Sequence, residues 1–256
     1  MNTLYPEDIQ RIVTSLPKDV VKLLRDANGG IFLAGGFIRA KIAGEVPNDI
    51  DLWGDDLVYL DSQAILFAAQ RGVRDMKTQN AHTILTNGRT PVQFITRWVF
   101  EKPAKCCESF DFTIASAAVW YEDGGWHSYC NERFYRDLAS KSLTYMSPVR
   151  NEDAGGSFMR LQKFIAKGYR ISPGNLAKVT ARLLQGIKES RRSQFYNAEE
   201  DWQAQVVLGM LREVDPLSVV DGIELEDEML TAEFELPVED DGFDNTNYIK
   251  DTLVSG

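Results

Sequence analysis

The sequence predicts a mixed α/β domain with a mixed β-sheet, followed by a helical extension, and three observations carry that fold class. Apolar runs of strand length, GIFLAGG at 30–36 and DIDLW at 49–53, flank a short helical stretch, so strand and helix alternate. Two later segments place β-rich residues on both sides of a turn, at Asn87-Gly88 and at Asp123-Gly124-Gly125, as hairpins do. From Ser157 onward the pattern turns helical, with one break at Ser172-Pro173-Gly174.

Each element follows from local chemistry. EDIQRIVTSLPKDVVKLLRD at 7–26 reads as two short amphipathic helices, because Pro17 cannot continue the first. Asn28-Gly29-Gly30 turns the chain into the first strand, and FIRAKIAG follows as a helix of about two turns closed by Gly44. Pro47 and Asn48 interrupt the chain before the second strand, and YLDSQAILFAAQRG at 59–72 is a helix stopped by Gly72. HTILTNGRTPVQFITRWV at 82–99 is expected to form two strands, and ESFDFTIASAAVWYEDGGWHSY at 108–129 to form strands that include one bearing Asp111. NERFYRDLASKSLTYM reads as a helix or a turn plus helix. EEDWQAQVVLGMLREV at 199–214 is a further amphipathic helix, after which periodicity is lost. The expected division is 1–156, 157–215 and an acidic tail at 216–256.

Composition excludes several classes. No run of 18 apolar residues exists, so no membrane span is expected. MNTLYPEDIQRIV lacks a basic start and apolar core, so no secretory leader is expected; the expected compartment is cytoplasmic, that of the host for a phage-encoded protein. Three cysteines, with Cys106 and Cys107 adjacent, fit a reduced protein rather than a disulfide framework. His82 and His127, without a Cys-x-x-Cys pair, make no zinc site, so any metal is a hard ion bound through oxygen. The histidines are read as structural, and Trp98, Trp120 and Trp126 as core or hairpin aromatics.

The net charge of −10 is unevenly spread: residues 160–192 carry nine bases against one acid, and residues 193–256 carry 17 acids against two bases. Separate partners are expected for the two segments. The basic one, with Lys163, Lys167, Lys178 and Arg182, suits nucleic-acid phosphates, and the acidic one suits the basic segment or a protein partner.

LAGGFIRAKIAGEVPNDIDLW at 33–53 concentrates the chemistry. Asp49 and Asp51, spaced i and i+2 on a strand, would share one face and suit Mg²⁺, which takes oxygen ligands together with substrate phosphates. Taken alone, such a pair is common by chance. Gly35-Gly36, immediately before a helix, lets a phosphate approach free N–H groups without a Cβ in the way. Arg39 lies one turn further on, where a guanidinium can fork onto a triphosphate. Asp111, between Phe110 and Phe112, is a candidate third carboxylate or a plain strand aspartate.

These residues, with their order and spacing, resemble the nucleotidyltransferase superfamily, above all the head domain of bacterial-type CCA-adding enzymes and poly(A) polymerases. DFTI at 111–114, RDLASKSLTY at 136–145 and RLQKFIAKGYRISP at 160–173 resemble later elements of that head, so the resemblance spans roughly 30–175. It implies a palm in which Asp49 and Asp51 hold two Mg²⁺ ions, Asp111 acts as metal ligand or base, and an NTP gives up pyrophosphate to an acceptor hydroxyl. An RNA 3′ end is the expected acceptor, with a protein or small molecule less favoured. Departures are specific: Ala40 replaces the family's aspartate after Arg39, Ser109 and Phe110 replace two arginines, Ala115 replaces an asparagine, and no arginine keeps the base-reading spacing after Glu152-Asp153. Arg160 is the nearest substitute. The competing expectation is a palm without catalysis, used as a scaffold or regulatory component.

Overall fold

The computed structural model describes residues 2–146 and 154–189. Helix 199–214, the acidic tail, Glu152-Asp153, and Arg191 and Arg192 lie outside the described residues.

Helices α1 (Pro6–Ser15) and α2 (Lys18–Ala27) are separated at Pro17, and Asn28 caps α2 in the left-handed conformation. Strand β1 (Ile31–Ala34) runs into α3 (Gly36–Ala43), then β2 (Ile50–Gly54) and α4 (Leu57–Arg71) follow. Asp56 caps α4 by accepting the Tyr59 N–H at 2.6 Å. Next come β3 (Asp75–Lys77), β4 (Ala81–Ile84), β5 (Val92–Ile95), α5 (Pro103–Glu108) and a single 3-10 turn at Thr113–Ala115. The hairpin β6 (Ala117–Glu122) and β7 (Gly125–Cys130) turns at Asp123-Gly124, both at positive φ as a tight hairpin turn requires. Helix α6 (Phe134–Ala139), β8 (Ser142–Leu143), α7 (Ala154–Ala166), β9 (Arg170–Ile171) and α8 (Pro173–Glu189) complete the described chain.

Seven strands form one mixed sheet in the order β3-β4-β5-β2-β1-β6-β7; β2 and β5 run parallel, and every other neighbouring pair in it is antiparallel. Ile31, Leu33, Ile50, Leu52, Val92, Phe94, Ala117 and Val119 face the larger core, which α1 to α4 cover. Leu161, Phe164, Tyr169 and Val179 join that core, so α7, β9 and α8 pack on the palm itself. The opposite face carries Phe32, Ala34, Trp53 and Ala118, and is covered by Cys106 and Cys107 of α5 with Trp98, Phe100 and Phe110. Burial raises the Cys107 thiol well above its ordinary value, as expected of an inert core cysteine.

Two expectations change. Helix α5 and strand β3 were not anticipated, being short and without clear period. Asp111 is not on a strand: it sits at a bend before the 3-10 turn, and only Phe112 makes an isolated bridge, to Tyr145. The reason is packing. Phe110 lies against the smaller cluster and Phe112 in the larger one, and residues two apart on a regular strand cannot serve opposite faces.

The sheet's edge is held by polar contacts. His82 is buried between Asp75 (Nδ1 to Oδ2, 2.6 Å) and Asp61 (Nε2 to Oδ1, 2.7 Å). Arg71 donates through Nε and Nη2 to both Asp19 carboxylate oxygens, at 2.8 and 3.0 Å, tying α4 to α2. That guanidinium holds the Asp19 carboxyl below its ordinary 3.8. A depressed carboxyl contributes stability above its unfolded pKa and loses it as pH falls through the folded one. Urea midpoints should therefore drop as pH falls below about 4, and Arg71→Met should flatten that acid limb.

Candidate functional site

Topology brings the candidate residues to one end of the sheet. β1 ends at Ala34 beside the start of β2, because the two run antiparallel with Leu33 opposite Leu52. β6 starts at the same end, and the Gly35 N–H donates to the Ala117 carbonyl at 3.0 Å. β5 also starts there, with the Ile50 N–H donating to the Pro91 carbonyl at 2.9 Å. Asp49 stands one residue before β2 rather than on it, and Asp51 is the second residue of the strand; both are half-buried.

Gly35 has φ 93° and ψ −133°, a conformation open in practice to glycine alone. A Cβ there would lie 3.6 Å from Phe110 Cζ and 3.9 Å from Asp51 Oδ2, so a carboxylate and an aromatic edge border the same glycine. A Cβ on Gly36 would meet nothing within 4 Å. Gly36 is not glycine for want of room in the fold; the space over it is open to a ligand, beside the first turn of α3. Gly35→Ala should cost about 1–3 kcal/mol through backbone strain. Gly36→Ala should leave the melting temperature unchanged or raised, since alanine is the better helix former by up to about 1 kcal/mol. If the cradle receives a triphosphate, the added Cβ should weaken that binding about 10–100-fold, read by calorimetry.

The basic and third acidic candidates are placed differently from their expected surroundings. Arg39 is 7% exposed; its guanidinium lies 4.9 Å over the Phe164 ring and its Nε is 3.6 Å from Glu45 Oε2. Tyr169 donates to the other Glu45 oxygen at 3.2 Å, and burial, followed by that carboxylate, raises its phenol to about 12. Arg39 thus joins α3 to α7. Asp111 is 5% exposed and accepts a hydrogen bond from Arg160 Nε, so the two candidates meet each other. Lys163 on α7 and Lys167, one residue past its end, are half-buried; on α8, Lys178 is exposed and Arg182 half-buried.

Sequence reasoning missed two residues. Gln93 of β5 is in register with Asp51 on the parallel strand, a neighbour fixed by pairing that no linear pattern reveals. Asp137 of α6 is 1% exposed, accepts from Thr113 Oγ1 at 2.6 Å and pairs with Arg133 at 3.0 Å, locking the turn that follows Asp111. Its place in the segment RDLASKSLTY was the available signal.

Carboxylates and a glycine cradle on the strand ends of a mixed sheet, backed by helices, define a nucleotidyltransferase-like palm. Two solved structures share that fold: the Thermotoga maritima CCA-adding enzyme complexed with tRNA, at 14% identity and TM-score 0.51 over 93% of this chain and 58% of that one, and a tRNA-processing enzyme in an apo form, at 18% identity and TM-score 0.52 over 84% and 62%. The chain therefore spans about three-fifths of the length of these structures. No curated protein matches it. The chain belongs to Gad2, the Gabija anti-defense 2 family, whose model matches residues 6–141. That stretch contains Gly35, Gly36, Asp49, Asp51, Gln93 and Asp111, and ends before α7. Among the described residues no helix is long and apolar enough to cross a membrane.

The donor set at the strand ends fits a hard divalent cation. Asp49 and Asp51 offer carboxylate oxygens, and the open cradle over Gly36 leaves room for the phosphates that complete such an ion's shell. Among the described residues no three His, Cys, Asp or Glu side chains gather as a metal-binding group. The fit is thus to a shell shared with substrate rather than to a cage of protein ligands.

Proposed function

We propose that this chain acts against the Gabija defence as a Mg²⁺-dependent nucleotidyltransferase. It moves a nucleoside monophosphate from an NTP to an acceptor hydroxyl, for which an RNA 3′ end is the favoured class, and releases pyrophosphate. The observation that carries the reading is the meeting of Asp51 with Gly35 at the mouth of an open cradle over Gly36. The acceptor hydroxyl oxygen forms a bond to the α-phosphorus, its proton passing to solvent, as the bond to the β-phosphate oxygen breaks and pyrophosphate leaves. Asp49 and Asp51 would hold the divalent cation that lets a phosphate come near two carboxylates, and the N–H groups at the start of α3 hold the outgoing phosphates. Mg²⁺, when bound, supplies neutralisation of the triphosphate charge.

Arg39, Arg160 and Asp111 serve as positioning residues, since Arg39 is engaged with α7 and the other two with each other. Support for an RNA acceptor comes from Lys163 of α7, Lys167 just after it, and Lys178 and Arg182 of α8. A second reading, a palm that binds NTP without turning it over, is favoured by one observation: the in-register neighbour of Asp51 is Gln93, a neutral amide. Labelling of total RNA, and of Gabija-expressing cell extract, with each α-³²P NTP and Mg²⁺ separates the two. Label transferred by the wild type alone, and not by Asp49→Asn/Asp51→Asn, supports transfer. Asp49- and Asp51-dependent NTP binding without label supports the second reading.

A further inference from the structure

We infer that Gln93 restricts this site to a single divalent cation, the one that arrives with the NTP. The inference rests on the nucleotide-binding reading of the same strand ends. In a parallel pair, in-register residues project from the same face of strands about 4.8 Å apart. Asp51 and Gln93 are such a pair, so carboxylate and amide share one patch of the sheet. The row continues onto β4, where Thr83 pairs with Gln93 and its buried Oγ1 has no hydrogen-bond partner. Across three adjacent strands the face therefore presents one carboxylate, one amide and one hydroxyl.

The other acid at this end, Asp111, is bound to Arg160, and no group of three acidic or imidazole ligands exists among the described residues. A second dication, beside the one that arrives with the triphosphate, would bring two positive charges to be offset by the carboxylates of Asp49 and Asp51, which the first ion already shares. An amide oxygen can ligate but offsets none of that charge. The first ion is different, because the triphosphate it arrives with brings negative charge and oxygen ligands of its own. The acceptor hydroxyl then has no second ion of this chain to lower its pKa. Binding of the NTP is favoured over fast transfer, and Gln93 is the residue that sets this balance.

The test counts bound Mn²⁺, the paramagnetic stand-in for Mg²⁺, on the full chain. A mixture of the four α,β-methylene NTPs, whose scissile bond is blocked, supplies the nucleotide. Equilibrium dialysis with electron paramagnetic resonance should find one Mn²⁺ per nucleotide-bound wild-type chain. Gln93→Glu should bind two, with spin coupling between them, and transfer by this variant in a separate assay should rise at least about tenfold, the effect of ~1.4 kcal/mol. Gln93→Asp provides a second acidic variant, and thermal melts establish that each is folded. Two Mn²⁺ on the wild type, or one on folded acidic variants, overturns the inference and leaves the transfer reading standing. No nucleotide-bound Mn²⁺ that depends on Asp49 and Asp51 overturns both.

Discussion

Replacing Asp49 and Asp51 together by asparagine should reduce nucleotidyl transfer at least about 1000-fold, the effect of removing ~4 kcal/mol of transition-state stabilisation. The substitution keeps the size of both side chains, removes the charge and turns one acceptor oxygen of each into an NH₂ donor. Neither aspartate is fully buried, so the fold should persist with a melting temperature within a few degrees of the wild type. Charge is the decisive quantity because phosphoryl transfer asks little covalent work of the protein and much neutralisation and alignment. Asp51 should carry the larger single effect. It lies within β2 and borders Gly35, whereas Asp49 stands one residue before the strand. Rate loss in both single variants with an unchanged melt separates catalysis from folding. Full transfer by the double variant would remove the site from consideration.

The sequence revealed the elements whose signals are local. Pro17 splits α1 from α2, Gly44 and Gly72 close their helices, and Asp123-Gly124 turns the β6–β7 hairpin, each through a backbone constraint belonging to one or two residues. The spacing from Gly35-Gly36 to Asp49 and Asp51 was legible for the same reason. What was not legible depends on register and on which residue meets which. Gln93 becomes a neighbour of Asp51 only when β5 pairs in parallel with β2, and the intervening chain contains α4, β3 and β4. Helix α5 covers the second face of the sheet, but its six residues, PAKCCE, have no room to show an amphipathic period. Arg39 and Arg160 were recognised as basic residues near the motif, yet a sequence does not say whether a guanidinium reaches a ligand or a partner within the chain. In the structure the Arg39 guanidinium lies over Phe164 and near Glu45, and Arg160 donates to Asp111.

Arg160 is where that distinction has its largest effect on stability. Arg160→Met keeps much of the apolar stem while removing the charge, and leaves the Asp111 carboxylate, 5% exposed, without its cation. Stranding one member of a buried pair costs about 3–5 kcal/mol; the lower end applies here because Arg160 is 39% exposed and water can partly replace it. For a folded region of this size ~3 kcal/mol lowers the melting temperature by about 6–12 °C. Asp111→Asn/Arg160→Met removes both charges and should recover much of the loss, because the penalty lies in the uncompensated carboxylate rather than in the missing contact. The alternative role, reading the nucleotide, predicts another pattern: a small change in melting temperature on Arg160→Met, a large rise in the NTP dissociation constant, and no recovery in the double variant. Thermal melts and calorimetry on the four proteins of this cycle separate a strut that holds α7 against the turn at Asp111 from a residue that contacts substrate.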